Sequence, residues 1–219
     1  MAGTRKDAPA RPFSRELLTG DTLGAARALL GARLVRDADG PPGTARRVGR
    51  IVEVEAYVGE DDRASHARMG PTARNRVMYG PAGVAYVYLV YGMHHCLNVV
   101  TGPVSFPAAL LIRAVEPLEG TDVMHRARLA AGRRAVPDAR LATGPGLVGV
   151  AFGIDRTLTG IDLCDRASGL HLAPAPPGEP SPRIIAAPRV GIAYAGEPWV
   201  SAPWRFLVAG RPPARGGAR

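Results

Sequence analysis

The chain has 219 residues, 46% of them hydrophobic, with two cysteines and a net charge of +9. That length suits one domain with a sizeable core and is short for two. No run of about 18 apolar residues offers a membrane span, and Cys96 and Cys164 fit neither a zinc spacing nor a CxxC redox pair.

Residues 1–12, with Arg5, Lys6, Arg11, Pro9 and Pro12, read as a disordered basic tail, and residues 211–219 as a second one. The domain between them spans 13–210. The first twelve residues contribute +2 of the charge and the last ten +3, so +4 belongs to the rest. That excess suits a polyanionic partner, or simply an arginine-rich proteome. The N-terminus has no apolar signal-peptide stretch, so a cytoplasmic location is expected, nucleoid-associated in a prokaryote.

Asp21 can cap a helix over Thr22–Leu30, with Leu23, Ala26, Leu29 and Leu30 inward and Gly31 as its stop. A strand follows at Arg33–Asp37, then a turn over 38–45. Arg47–Val58 is the clearest strand. Val52, Val54, Ala56 and Val58 share an apolar face, and Glu53, Glu55 and Tyr57 share the other. Residues 59–83 read as loop with short helical pieces. Apolar strands at Val84–Val90 and Cys96–Val100 flank Tyr91–Gly92, and another runs over Ala108–Val115. A helix over Gly120–Ala131 should turn Val123, Ala127, Leu129 and Ala130 inward. A short helix covers Gly146–Phe152, a proline-rich loop covers 173–182, and late strands lie at Arg183–Ala187, Val190–Ala193 and Arg205–Val208. Strands outnumber helices without alternating with them, which favours an antiparallel-rich α+β domain.

Five of the six tyrosines, Tyr57, Tyr79, Tyr86, Tyr88 and Tyr91, fall within residues 57–91, interleaved with Arg63, Arg68, Arg74, Arg76 and His66. Aromatic faces among arginines suit a stacked base beside a phosphate backbone; tyrosines also pack in strands for no other reason. Glu55 shares a strand face with Tyr57, so it is either a carboxylate that activates a water against a bound ring or an ordinary exposed acid. Glu53 and Glu55 form a carboxylate pair, but at i and i+2 they face the same way and would not flank a bond. Glu53, Glu55, His66, His94 and His95 match no standard metal spacing. Lys6 is the only lysine, and Schiff-base chemistry needs an amine held in a pocket.

The stretch RIVEVEAYVGEDDRASHARMGPTARNRVMYGPAGVAYVYLVYGMHHCLNVVTG at 50–102, with LLIRAVEPLEG at 110–120, TGPG at 143–146 and, more weakly, RVGIAYAGE at 189–197, resembles the alkyladenine (3-methyladenine) DNA glycosylases. The likeness covers most of 13–210. It implies a single α+β domain with a mixed, largely antiparallel curved sheet flanked by helices, like the C-terminal domain of methionyl-tRNA formyltransferase. It implies a monofunctional base-excision-repair enzyme that flips alkylated or deaminated purines from double-stranded DNA and hydrolyses the glycosidic bond. No metal, no cofactor and no lyase activity are implied, and a monomer is expected.

Carried over residue by residue, Glu55 matches the general base. Tyr57, Ala64, His66, Tyr86, Tyr88 and Asn98 match the base-binding pocket, the main chain of Ala64 and His66 reading the base edge. Tyr91 matches the wedge that fills the hole in the duplex. Arg74, Arg76 and Arg113 match DNA contacts. His94, His95, Leu147, Val77 and Tyr79 depart from the family pattern, which bears on substrate range and affinity. A binding module without catalysis and a metal-dependent hydrolase are the competing classes; Glu55 speaks against the first, since a carboxylate gains nothing facing an anionic backbone.

Overall fold

The computed structural model describes residues 11–37, 46–211, 213 and 214. The turn expected over 38–45 lies outside the described residues, as does Lys6.

Among the described residues eight strands form one antiparallel sheet: β1 (Arg33–Arg36), β2 (Arg47–Val58), β3 (Ala85–Val90), β4 (His94–Val100), β5 (Ala108–Glu119), β6 (Leu170–Ala173), β7 (Ile184–Ala187) and β8 (Arg205–Val208). Their order is β3-β4-β5-β2-β1-β6, with β8 also on β2 and β7 on β8. The twelve-residue β2 is the spine. One edge pairs with β5 along its length; the other takes β1 at Arg47–Arg50 and β8 at Glu53–Glu55. Four helices pack on this sheet: α1 (Glu16–Thr19), α2 (Thr22–Leu29), α3 (Thr121–Ala130) and α4 (Pro145–Phe152). The described residues thus form an α+β architecture.

Local chemistry accounts for several boundaries. Asp21 accepts from the amides of Leu23 and Gly24 and starts α2, and Gly31, at φ +90°, turns the chain away after it. Helix α4 approaches β4 so closely that a side chain at Gly146 would strike His94 and one at Gly149 the carbonyl of His95. The core is formed by one face of the sheet and the helices: Ile51, Val54 and Ala56 of β2, Leu110 and Ile112 of β5, Leu97 and Val99 of β4, Val87 of β3, with Leu29 of α2 and Phe152 of α4.

Three expectations change. Val52 does not join Val54 and Ala56; it packs with Ala114 and Ala214. The register skips Val52 on β2 and then Arg113 on β5, a pair of compensating bulges that no alternation pattern reveals. In α3 the buried residue is Met124, while Leu129 is 56% exposed, because the helix rests on its neighbours by one narrow stripe. Val190–Ala193 is not a strand: it is irregular backbone leading into a 3-10 turn at Ala193–Ala195, and its Val190 amide serves a side chain rather than a ladder. Among the described residues no helix is long and apolar enough to cross a membrane.

Candidate active site

Because side chains alternate along a strand, the neighbours of the core residues point to the opposite face of β2–β5. There Tyr86 and Tyr88 of β3, Cys96 and Asn98 of β4, Ala109, Leu111 and Arg113 of β5, and Tyr57 of β2 line a cavity of about 410 Å³. The registers Tyr86↔Asn98, Asn98↔Leu111 and Leu111↔Glu55 set three of these strand positions in one row across the sheet and place Glu55, which is not itself in the lining, at the end of that row. The rim comes from three connections: Ala64, His66 and Met78 of the 59–83 loop, Val190–Ile192 and Tyr194, and Tyr91 at the β3–β4 turn.

Glu55 lies under this surface with no exposure. Its Oε1 accepts from the Val190 amide at 2.7 Å; its Oε2 accepts from the Tyr57 hydroxyl at 3.0 Å and from Arg113 Nη1 at 3.2 Å. A carboxylate offers about four acceptor positions, so one remains for a water. Burial raises the Glu55 pKa above the ordinary carboxylate range, against the opposing pull of Arg113 and the two hydrogen bonds. A carboxylate held this way is a stronger base than a solvated one. The exposed-acid alternative is therefore excluded.

His66 meets Tyr88 edge-on, ring centroids 4.4 Å apart, and its Nδ1 lies 3.0 Å from the Tyr86 hydroxyl. Burial, then the charges of Arg74 and Arg68, lower its pKa to about 4, so the ring is neutral near pH 7. Asn98 donates to the carbonyls of Tyr86 and Cys96, which fixes its amide within the wall. The Ala64 amide is taken by Asp62, and its carbonyl accepts from Tyr194 at 3.3 Å; the His66 carbonyl accepts from Asn75 at 2.9 Å. Glu53, Glu55 and His66 do not converge as a metal set: Arg113 bridges the two carboxylates, and His66 bonds to Tyr86.

A buried carboxylate beneath an aromatic cavity is a site for hydrolysis beside a flat ring. Comparison with known proteins identifies the class. The family model of methylpurine-DNA glycosylase (MPG) matches residues 16–212. The chain belongs to that family. Relatives named "Putative 3-methyladenine DNA glycosylase" include one from Methanocella arvoryzae, 47% identical over 199 residues that cover 90% of this chain and 92% of its own. One from Myxococcus xanthus is 46% identical over 200 residues, covering 88% and 91%, and one from Bacillus cereus 44% over 200, covering 88% and 93%. The protein is a DNA glycosylase for alkylated bases, and DNA is its substrate.

Within this glycosylase the remaining expected residues take distinct places. Tyr91 stands at the tip of the β3–β4 turn, 77% exposed, with Met93 beside it at 68%. The Arg74 guanidinium lies 5.4 Å from the centre of the Tyr88 ring, at the pocket rim. Arg76, itself exposed, opens a 3-10 turn, Arg76–Tyr79, whose Met78 is buried. Arg113, matched to a contact near the flipped nucleotide, is buried; its Nε and Nη1 go to Glu53 and Glu55, so only Nη2 is without a protein partner.

The sequence alone does not disclose the brace behind Tyr57. Arg189 forms a bidentate, fully buried ion pair with Asp62 at 2.6 and 2.9 Å, donates to the Ala56 carbonyl, and lies over the Tyr57 and Trp204 rings at 4.8 and 5.0 Å. It covers one side of Tyr57, leaving the other for the cavity that Tyr57 lines. Asp62 sits in an acidic run, EDD, that looks like a solvated loop; only its position 127 residues from Arg189 along the chain hides the pair. Cys96 and Tyr194, also in the lining, carry no local signal either.

Proposed function

We propose that this glycosylase flips alkylated or deaminated purines out of double-stranded DNA and hydrolyses the N-glycosidic bond, with 3-methyladenine, 7-methylguanine, hypoxanthine and ethenoadenine as its lesion classes. The observation that carries the proposal is Glu55, buried and basic, on the sheet face that floors an aromatic cavity. A base inside a duplex is unreachable, and extruding it costs a few kcal/mol. Tyr91 offsets part of that cost by stacking in the vacated place. Tyr57, His66 and Tyr88 hold the purine, each stack contributing roughly 1–3 kcal/mol; their π faces attract the positive charge of an alkylated ring.

Glu55 takes a proton from a water as it attacks C1′, and its charge steadies the oxocarbenium-like centre. The neutral His66 adds no positive charge against a cationic base. The products are the free base and an abasic site. The reaction needs no cofactor, and the protein acts as a monomer. It is monofunctional, because a lyase needs a pocket amine and, among the described residues, the cavity lining contains no lysine.

The test is incubation with duplexes carrying one hypoxanthine or ethenoadenine, and with randomly methylated DNA, in the presence of EDTA. Free base should appear together with abasic sites that break only after alkali. Strand breaks before alkali at rates matching base release would contradict the monofunctional reaction; no release from any substrate would contradict the proposal as a whole.

A further inference from the structure

Glu53, two residues before the proposed base, is buried and has both oxygens engaged. Its Oε1 accepts from Arg113 Nε at 2.9 Å and lies 3.4 Å from Arg205 Nη1; its Oε2 accepts from the Ala214 amide at 2.6 Å. Arg113, 4% exposed, passes its Nη1 on to Glu55. One guanidinium is thus divided between two carboxylates. The bulges that skip Val52 and Arg113 in the β2–β5 register lie at this point, where the two acids and the arginine share the space between the strands.

The C-terminal segment closes the arrangement. Arg211 pairs with Glu116 at 2.5 Å, and Ala214 is buried against Val52 and Ala114. The segment read from sequence as part of a basic tail therefore supplies a backbone donor to a buried acid.

Resting on Glu55 as the base, we propose that Glu53 is a positioning residue and that the Ala214 amide is its counterpart: Glu53 holds the Arg113 guanidinium and draws part of its charge away from Glu55, and Ala214 moderates that draw. A cation shared in this way neutralises neither acid fully, which keeps Glu55 an effective base. Every group facing Glu55 enters the balance: Tyr57 and Glu53 from β2, Arg113 from β5, Tyr88 from β3, and the Val190 amide. Arg205 of β8, opposite Glu55 in register, reaches Glu53, and Arg189 is spent on Asp62. Of the charged groups, Arg113 lowers the Glu55 pKa and Glu53 raises it.

The signs follow for two variants. Glu53→Gln removes the like charge and leaves Arg113 to Glu55, so the Glu55 pKa falls. Ala214→Pro removes the amide hydrogen, leaves the Glu53 charge less compensated, and moves the Glu55 pKa upward. The Glu55 carboxyl is titrated by carbon-13 NMR in the full-length wild type and both variants, its signal assigned by loss in Glu55→Gln, with folding checked by circular dichroism. Opposite shifts support the proposal. A Glu55 titration unmoved in folded Glu53→Gln overturns the role of Glu53, and one unmoved in Ala214→Pro overturns that of the C-terminal segment. If Glu53→Gln does not fold, Ala214→Pro decides alone. Because the titration needs no substrate, it is independent of whether purines are excised; the acid limb of the excision rate should move with it.

Discussion

Glu55 is placed where its charge works against the fold. Burial raises its pKa above the unfolded value, so between the two values the native state holds more protons than the unfolded one. Stability therefore falls as pH rises through that window, and the cost is fully present above the folded pKa. Glu55→Gln, which keeps the shape and removes the charge, should raise Tm at pH 8. The gain should vanish below the ordinary glutamate pKa of about 4.3. Thermal unfolding at both pH values checks this; an equal effect at the two would count against a destabilising charge. His66 has the opposite habit: with its pKa near 4 it stays neutral through mild acid, so an acid limb above that pH belongs to Glu55. The strand alternation Glu53-x-Glu55-x-Tyr57 and the tyrosine cluster are visible in the sequence; of these residues Tyr57, Tyr86, Tyr88 and Tyr91 line the cavity together with Asn98, and Glu55 lies buried beside Tyr57 on β2. The partners that tune them are not visible there. Arg113, matched to a DNA contact, is instead held between Glu53 and Glu55, and Val190 donates through its backbone, which no residue type discloses.

At the scale of elements, β2 runs over Arg47–Val58 as expected; the alternation of its second half, Val52–Val58, is the pattern that marks it. The Val52 bulge breaks that rule locally, and it depends on β5, not on β2. The buried face of α3 is not legible because a helix resting on its neighbours by a narrow stripe around Met124 has no wide apolar face to read. The β3–β4 turn is the element with the most direct consequence. Met93 donates to the Val90 carbonyl at 3.1 Å, and Tyr91 and Gly92 have φ of 51° and 69°. Positive φ is natural for glycine and costs a tyrosine on the order of 1 kcal/mol, so the turn holds a strained, exposed ring. Tyr91→Ala should lower excision from duplex by roughly 5- to 100-fold, the equivalent of one lost stack of about 1–3 kcal/mol. Affinity for undamaged DNA should stay unchanged. Equal excision by both proteins would remove the wedge.

Across the whole molecule, arginines gather in two places. Arg68 and Arg74 lie over Tyr194 and Tyr88, which line the cavity. Arg128, Arg133, Arg134 and Arg140 follow one another on α3 and the chain after it, and the charges of Arg133 and Arg140, after burial, lower the Arg128 pKa. Arg133 lies against the ring of His94, and His94, three residues from Tyr91 in the chain, is within about 10 Å of that proposed wedge. Positive charge near such a wedge suits phosphates. Duplex binding should weaken steeply with salt, and Arg133→Ala should reduce the slope of log K against log salt by about 1, with the preference for damaged over undamaged DNA unchanged. An unaltered slope would take Arg133 out of the interface. The basic balance is legible from composition; its arrangement is not, because the two groups of arginines come from segments far apart in the chain. The central claim is that Glu55 is the base of a purine-excising glycosylase, and single-turnover excision of hypoxanthine from a duplex by wild type and Glu55→Gln, with EDTA present, tests it most directly. The account predicts alkali-dependent breaks from the wild type and a rate lower by roughly 10²- to 10⁴-fold in the variant, with duplex binding retained. Excision at the wild-type rate by Glu55→Gln would contradict it.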